Sequence, residues 1–253
     1  MNRYVALGSS MAAGPGIRPR VPGSPRAAGR SARNYPHLVA GALGLDLVDV
    51  TYSGATTAHV LSESQRGVPP QIDALDGTET LVTVTIGGND AGYVPMLFAA
   101  GLPGLCRSIP LLGGRLRNLL DPAERHLALA EAGSGLIDVG REVRRRSPQA
   151  TVLFVDYLTL LPRTGAAPPL READVTLGRH VAATLEQLTA DAAAATGCGL
   201  VRAGEASRAH HAWSAVPWTT RFGWPVPGRP APLHPNADGM RAVADLVVAG
   251  MPS

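Results

Sequence analysis

Four residues far apart in the chain have types and settings suited to acyl transfer: Ser10, Gly54, Asn89 and His234. That chemistry needs a nucleophile, a base for its proton and donors for the oxyanion that forms. Ser10 follows the apolar run Tyr4-Val5-Ala6-Leu7 and then Gly8-Ser9. A strand ending there would turn at glycine and present a hydroxyl beside fresh backbone N–H groups. Gly54 would add an N–H with no Cβ to crowd a substrate. Asn89, in Gly87-Gly88-Asn89-Asp90, would add an NH₂ that donates without carrying charge. With the Ser10 N–H these make three oxyanion donors. Each residue also has a purely structural reading: Ser9 or Ser10 as a helix cap, Gly54 as a turn glycine, Asn89 as an N-cap before Asp90.

The base should be a histidine. Of the seven in the chain, His37, His126 and His180 fall in expected helices. His59 follows Gly54 in a short helix and is a candidate for the pocket rim. His210 and His211 lie in a loop. His234 stands apart: in Pro232-Leu233-His234-Pro235-Asn236 a proline on each side stiffens the turn before the last helix. It equally suits an ordinary helix-entry turn. The aromatic residues Trp213, Trp218, Phe222 and Trp224 suggest an apolar wall for an acyl chain or an aromatic alcohol, or else a locally packed loop, and Trp213 and Trp218 are taken with His59 as candidate substrate contacts.

The elements that would position these residues alternate. Strands are expected at residues 4–7, 45–52, 80–86, 150–157 and 199–202, from short β-branched or apolar runs bounded by glycine and polar residues. Helices are expected over 34–43, 57–62, 91–100, 121–146, 172–195 and 236–248, the fourth of them open to bending at Gly133, Gly135 and Gly140. Residues 15–33, 101–114, 158–170 and 204–232 read as loops, the first of them rich in proline and glycine and suited to a lid or to a surface insertion. Alternation of this kind implies a parallel sheet covered on both faces, with its site at the carboxyl ends of the strands. Three of those ends are the turns at Ser10, Gly54 and Asn89.

At 253 residues, with no linker or repeat, the chain suits a single domain over 1–253. Nucleic-acid binding is not expected: the formal charge is only +3 and no basic stripe carries interleaved aromatics. The chain has no lysine, which excludes a Gly-x-x-x-x-Gly-Lys phosphate loop. Arg144-Arg145-Arg146 reads as a solvated helix C-terminus. No apolar run approaches the ~18 residues of a membrane span. Cys106 and Cys198 form no metal or redox spacing, and whether they pair is left open. The first strand begins within four residues of Met1, so the chain as given reads as cytoplasmic, or as the mature part of a secreted protein.

The order Gly8-Ser9-Ser10, Gly54, Gly87-Gly88-Asn89-Asp90 and His234-Pro235-Asn236 resembles the four blocks of the SGNH hydrolases, also called the GDSL esterase/lipase family, over residues 4 to about 248. The resemblance implies a three-layer α/β/α flavodoxin-like fold with five central parallel strands, and hydrolysis of small-molecule esters with no metal or cofactor. Two positions depart from the pattern. Ser9 stands where the block usually has Asp. Ala231 stands where the family often has an Asp orienting the histidine, which leaves a Ser–His dyad with the Ala231 carbonyl as the expected support and Asp238 as a weaker one. An acyltransferase on the same scaffold and a non-catalytic binding module are the alternatives, and oligomeric state is not legible.

Overall fold

The computed structural model describes residues 2–109 and 112–251. The chain runs β1 (Arg3–Gly8), α1 (Ser10–Ala13), α2 (Tyr35–Leu43), β2 (Asp46–Asp49), α3 (Thr57–Leu61), β3 (Glu79–Thr85), α4 (Tyr93–Gly101), α5 (Leu112–Leu119), α6 (Pro122–Arg146), β4 (Thr151–Val155), α7 (Glu172–Ala195), β5 (Gly199–Val201), α8 (Ala203–Ala206) and α9 (Ala237–Ala249). The strands pair in parallel in the order β2-β1-β3-β4-β5. This is the flavodoxin-like order, in three α/β/α layers.

Strand alternation sends side chains to two cores. Val5, Leu7, Val82, Val84, Val152 and Phe154 pack with Leu136 and Val139 of α6 and Val181 and Leu185 of α7. Tyr4, Ala6, Leu81, Leu153 and Val155 face the other way, onto Tyr35 and Val39 of α2 and Met240, Val243 and Val247 of α9. The threonines of β3 are tolerated inside because tyrosines pair with them: Tyr4 with Thr83 at 2.8 Å and Tyr35 with Thr85 at 2.8 Å. Several helices start where a side chain satisfies a free N–H. Asn34 caps α2, Asp121 caps α6 with Pro122 behind it, and Asn236 caps α9.

Two expectations change. The loop expected over 101–114 gives way to helix at 112, where α5 begins, despite Gly113 and Gly114. Burial of Leu116 (5% exposed) outweighs their poor helix propensity. In turn, α6 runs as one helix through its glycines, which are sites of close approach. A Cβ at 133 would press on Leu188 of α7, and one at 140 on Thr196. Cys106 and Cys198 are both free thiols. Among the described residues no helix is long and apolar enough to cross a membrane.

Candidate active site

The chain leaves β1 toward β2 on one side and leaves β3 toward β4 on the other, which opens a crevice at the carboxyl ends of the adjacent strands β1 and β3. Ser10 is the first residue after the β1 turn. That turn requires glycine at position 8: φ is +155° and a Cβ would lie 2.6 Å from the Thr85 carbonyl. Gln71 fixes the strand end, accepting from the Gly8 N–H at 2.7 Å and donating to the Gly8 carbonyl at 3.0 Å. Ser9 is the N-cap of α1 without a side-chain cap bond, and the Ser10 hydroxyl is turned elsewhere. Its Oγ lies 2.8 Å from His234 Nε2.

The His234 loop comes from the far end of the chain. His234 Nδ1 is 2.7 Å from the Pro232 carbonyl. A carbonyl only accepts, so Nδ1 carries the proton and Nε2 is left to accept from the Ser10 hydroxyl. The expected support, the Ala231 carbonyl, instead accepts from the Thr220 hydroxyl at 2.6 Å. The shift has a backbone cause: Leu233 adopts φ +60°, and this turn aims the Pro232 carbonyl at the imidazole. Such a conformation costs a non-glycine residue roughly 1–2 kcal/mol. Complete burial of the Leu233 side chain holds it. Thr220 closes the loop, with its N–H on the His234 carbonyl at 2.9 Å and the His234 N–H on its hydroxyl at 3.2 Å. Asp238, the weaker candidate support, is exposed and pairs with Arg241. Burial lowers the His234 pKa, partly offset by the Pro232 hydrogen bond, which favours the neutral imidazole.

Asn89 does not cap a helix, since Gly92 occupies the N-cap of α4. Its amide donates to the Ala55 carbonyl at 2.8 Å, which leaves its second N–H free of that bond. Gly54 sits at φ +82° with only the Gln65 amide within 4 Å of where a Cβ would be. Asp90 ties the two turns together by accepting from the Thr57 N–H at 3.0 Å and from its hydroxyl at 2.6 Å.

Ser10, Gly54, Asn89 and His234 all line one cavity of about 710 Å³. Among the described residues its wall also includes Pro15, Ser53, Val94, Pro95, Phe98, Ala99, Leu102, Leu116, Leu119, Pro225, Ala231 and Pro232, none of them Asp, Glu or Arg. The segment 15–33 is a pinned brace: Pro15 accepts from the Ala231 N–H and Ala28 from the Ser53 N–H. The three expected substrate contacts lie elsewhere. His59 helps cap α3, with Nδ1 accepting from the Thr56 N–H, and lines a separate cavity of about 220 Å³. Trp213 donates to the Pro168 carbonyl and packs on the core. Trp218 stacks flat on His210, ring centroids 4.0 Å apart. His211 Nδ1 accepts from the Trp213 N–H. Of the aromatics, Phe98 lines the cavity, and Phe222 and Trp224 pack on it with ring centroids 5.2 Å and 6.1 Å away. Sequence reasoning passed over Tyr157, Gln71, Thr220, Leu116 and Leu119. Nothing in the local pattern around these positions marks them as site residues.

The profile of the GDSL-like lipase/acylhydrolase family matches residues 6–242. The chain belongs to this family. "Lipase 2" of Streptomyces coelicolor is 36% identical to it over 262 residues, covering 96% of this chain and 83% of that protein. Among solved structures, an extracellular lipase from Streptomyces rimosus superposes with a TM-score of 0.82 at 24% identity, over 99% of this chain and 100% of that one. Phospholipase A1 from Streptomyces albidoflavus NA297 gives 0.78 at 24% identity, over 99% of each chain. As a GDSL family member the chain is an ester hydrolase acting on small-molecule esters, and its fold is that of the two Streptomyces enzymes.

Proposed function

We propose that the protein hydrolyses carboxylic esters of aliphatic acids through an acyl-serine intermediate, with Ser10 as nucleophile and His234 as its sole side-chain base. The observation that carries this reading is the 2.8 Å contact between Ser10 Oγ and His234 Nε2 in a cavity whose described wall is mostly apolar. The neutral imidazole takes the Ser10 proton as Oγ attacks the ester carbonyl. The oxyanion is received by the Ser10 N–H, the Gly54 N–H and the free N–H of Asn89. The protonated His234 delivers its proton to the leaving alcohol, then takes one from the water that releases the acid. The Pro232 carbonyl keeps Nδ1–H in place and stabilises the imidazolium as it forms, the task a carboxylate performs in a full triad. No step uses a metal.

The walls of the cavity support an aliphatic acyl group. Val94, Phe98, Leu102, Leu116 and Leu119 would bury methylenes at about 0.8 kcal/mol each, and none of the described wall residues carries a charge that would favour a polar acid. The name "Lipase 2" of the Streptomyces coelicolor relative agrees with this choice. The test is hydrolysis of p-nitrophenyl esters from acetate to palmitate by the parent and by Ser10→Ala. Expected are activity that rises from acetate toward longer chains and its loss, by a factor of at least about 10³, in the variant. A well-folded Ser10→Ala that keeps its turnover would overturn the assignment.

A further inference from the structure

Between the nucleophile turn and the oxyanion turn stands a side chain from a third strand end. Tyr157 follows β4, and its hydroxyl accepts from the Gly88 N–H at 3.0 Å and lies 3.1 Å from Ser9 Oγ. The Gly88 N–H donates to the Tyr157 oxygen, and between the Tyr157 and Ser9 hydroxyls either can be the donor. The turn 87–92 uses its carbonyls internally, Gly87 with the Ala91 N–H, Gly88 with the Tyr93 N–H and Asn89 with the Gly92 N–H. Outward, the turn is tied by the Asn89 side chain to Ala55, by Asp90 to Thr57, by the Ala91 carbonyl to Arg125, and by the Gly88 N–H, which Tyr157 holds. The ring also lies flush on Gly88, where any Cβ would collide with Cε2. Burial pushes the phenol up to about 12, so it stays neutral.

We infer that Tyr157 is a positioning residue for the reaction, a clamp that sets the residue before the nucleophile, Ser9, against the residue before the oxyanion donor, Gly88. This rests on the reading of Ser10 and Asn89 given above. The geometry makes Ser9 and Tyr157 one unit: each hydroxyl has its hydroxyl partner in the other. Removing the phenol oxygen leaves the Gly88 N–H without that acceptor and loosens the Asn89 turn on the side facing Ser9, while Ala55, Thr57 and Arg125 still hold its other side. A misplacement of about 1 Å in such a site costs on the order of 10²-fold in rate.

The experiment compares the parent, Ser10→Ala, Ser9→Ala, Tyr157→Phe and the Ser9→Ala/Tyr157→Phe double variant. Two quantities are read well below each variant's Tm: kcat and KM on p-nitrophenyl butyrate, and the rate at which a p-nitrophenyl alkylphosphonate labels Ser10. Expected for Tyr157→Phe is a fall of about 10–10² in kcat and in labelling rate, with KM within about twofold. Ser9→Ala should lose less, because Gly88 keeps its acceptor. Adding Ser9→Ala to Tyr157→Phe should cost nothing more, as members of one unit are not additive. A folded Tyr157→Phe that labels at the parent rate, or losses that multiply in the double variant, would sink the clamp while leaving the Ser10 assignment intact. A parent that is not labelled, or is labelled away from Ser10, would remove both together.

Discussion

Asn89 offers the sharpest quantitative test of the oxyanion site, because its two amide hydrogens do separable work. One donates to the Ala55 carbonyl at 2.8 Å and holds the turn around Gly54. The other is assigned to the oxyanion. In Asn89→Ala both are lost. The first loss is a neutral hydrogen bond worth about 0.5–1.5 kcal/mol. In a chain of this length that lowers Tm by roughly 1–6 °C. The protein therefore stays folded at 25 °C, and stability alone changes turnover very little. The second loss acts only in the transition state and should cost about 10²–10³ in kcat, or about 2.7–4 kcal/mol. Asn89→Asp sharpens the contrast. Its carboxylate oxygens face the Ala55 carbonyl and the developing oxyanion with no proton for either, so it should fall below Asn89→Ala. The assay is kcat on p-nitrophenyl butyrate at 25 °C with Tm measured in parallel. An Asn89→Ala variant whose kcat stays within about threefold of the parent would show that this side chain only holds the turn.

Two further outcomes follow from the environments of buried groups. Burial holds His234 below the ordinary imidazole value near 6.5, and the base must be neutral. The acid limb of kcat/KM should thus fall as pH drops through a value below 6.5, and a profile with its inflection above 6.5 would contradict the desolvated site. Asp156, at the end of β4, is pushed up to about 7 by burial, with the Glu186 charge adding to the rise against the Gly204 N–H. Its unfolded value is near 3.9, so the stability it contributes is complete below about pH 4 and is lost as pH rises through about 7. Asp156→Asn keeps an acceptor for the Gly204 N–H without the charge, and Tm should then drop less between pH 5 and pH 8 than in the parent. Equal drops in both proteins would show that Asp156 is not the group responsible.

The amino-acid sequence by itself determined the layers and the points where the chain could do chemistry. The β-branched run Leu81–Thr85 can bury both faces only as a central strand, and the glycines at 8, 54 and 87 break the chain at strand ends, where side chains meet solvent. Local patterning carries that information because period and turn chemistry act over a few residues. What touches what across the crevice was decided only by tertiary structure. The identity of the carbonyl behind His234 turns on one backbone angle at Leu233, held by burial among residues remote in the chain. The cavity wall needed α5, which the glycines at 113 and 114 conceal from any propensity argument. His59 and the tryptophans at 213 and 218 had suitable chemistry but found partners of their own, in a helix cap, a proline carbonyl and a stacked histidine. Tyr157 reaches the site because β4 lies beside β3, an adjacency set by sheet order and not by any feature of the residues around it.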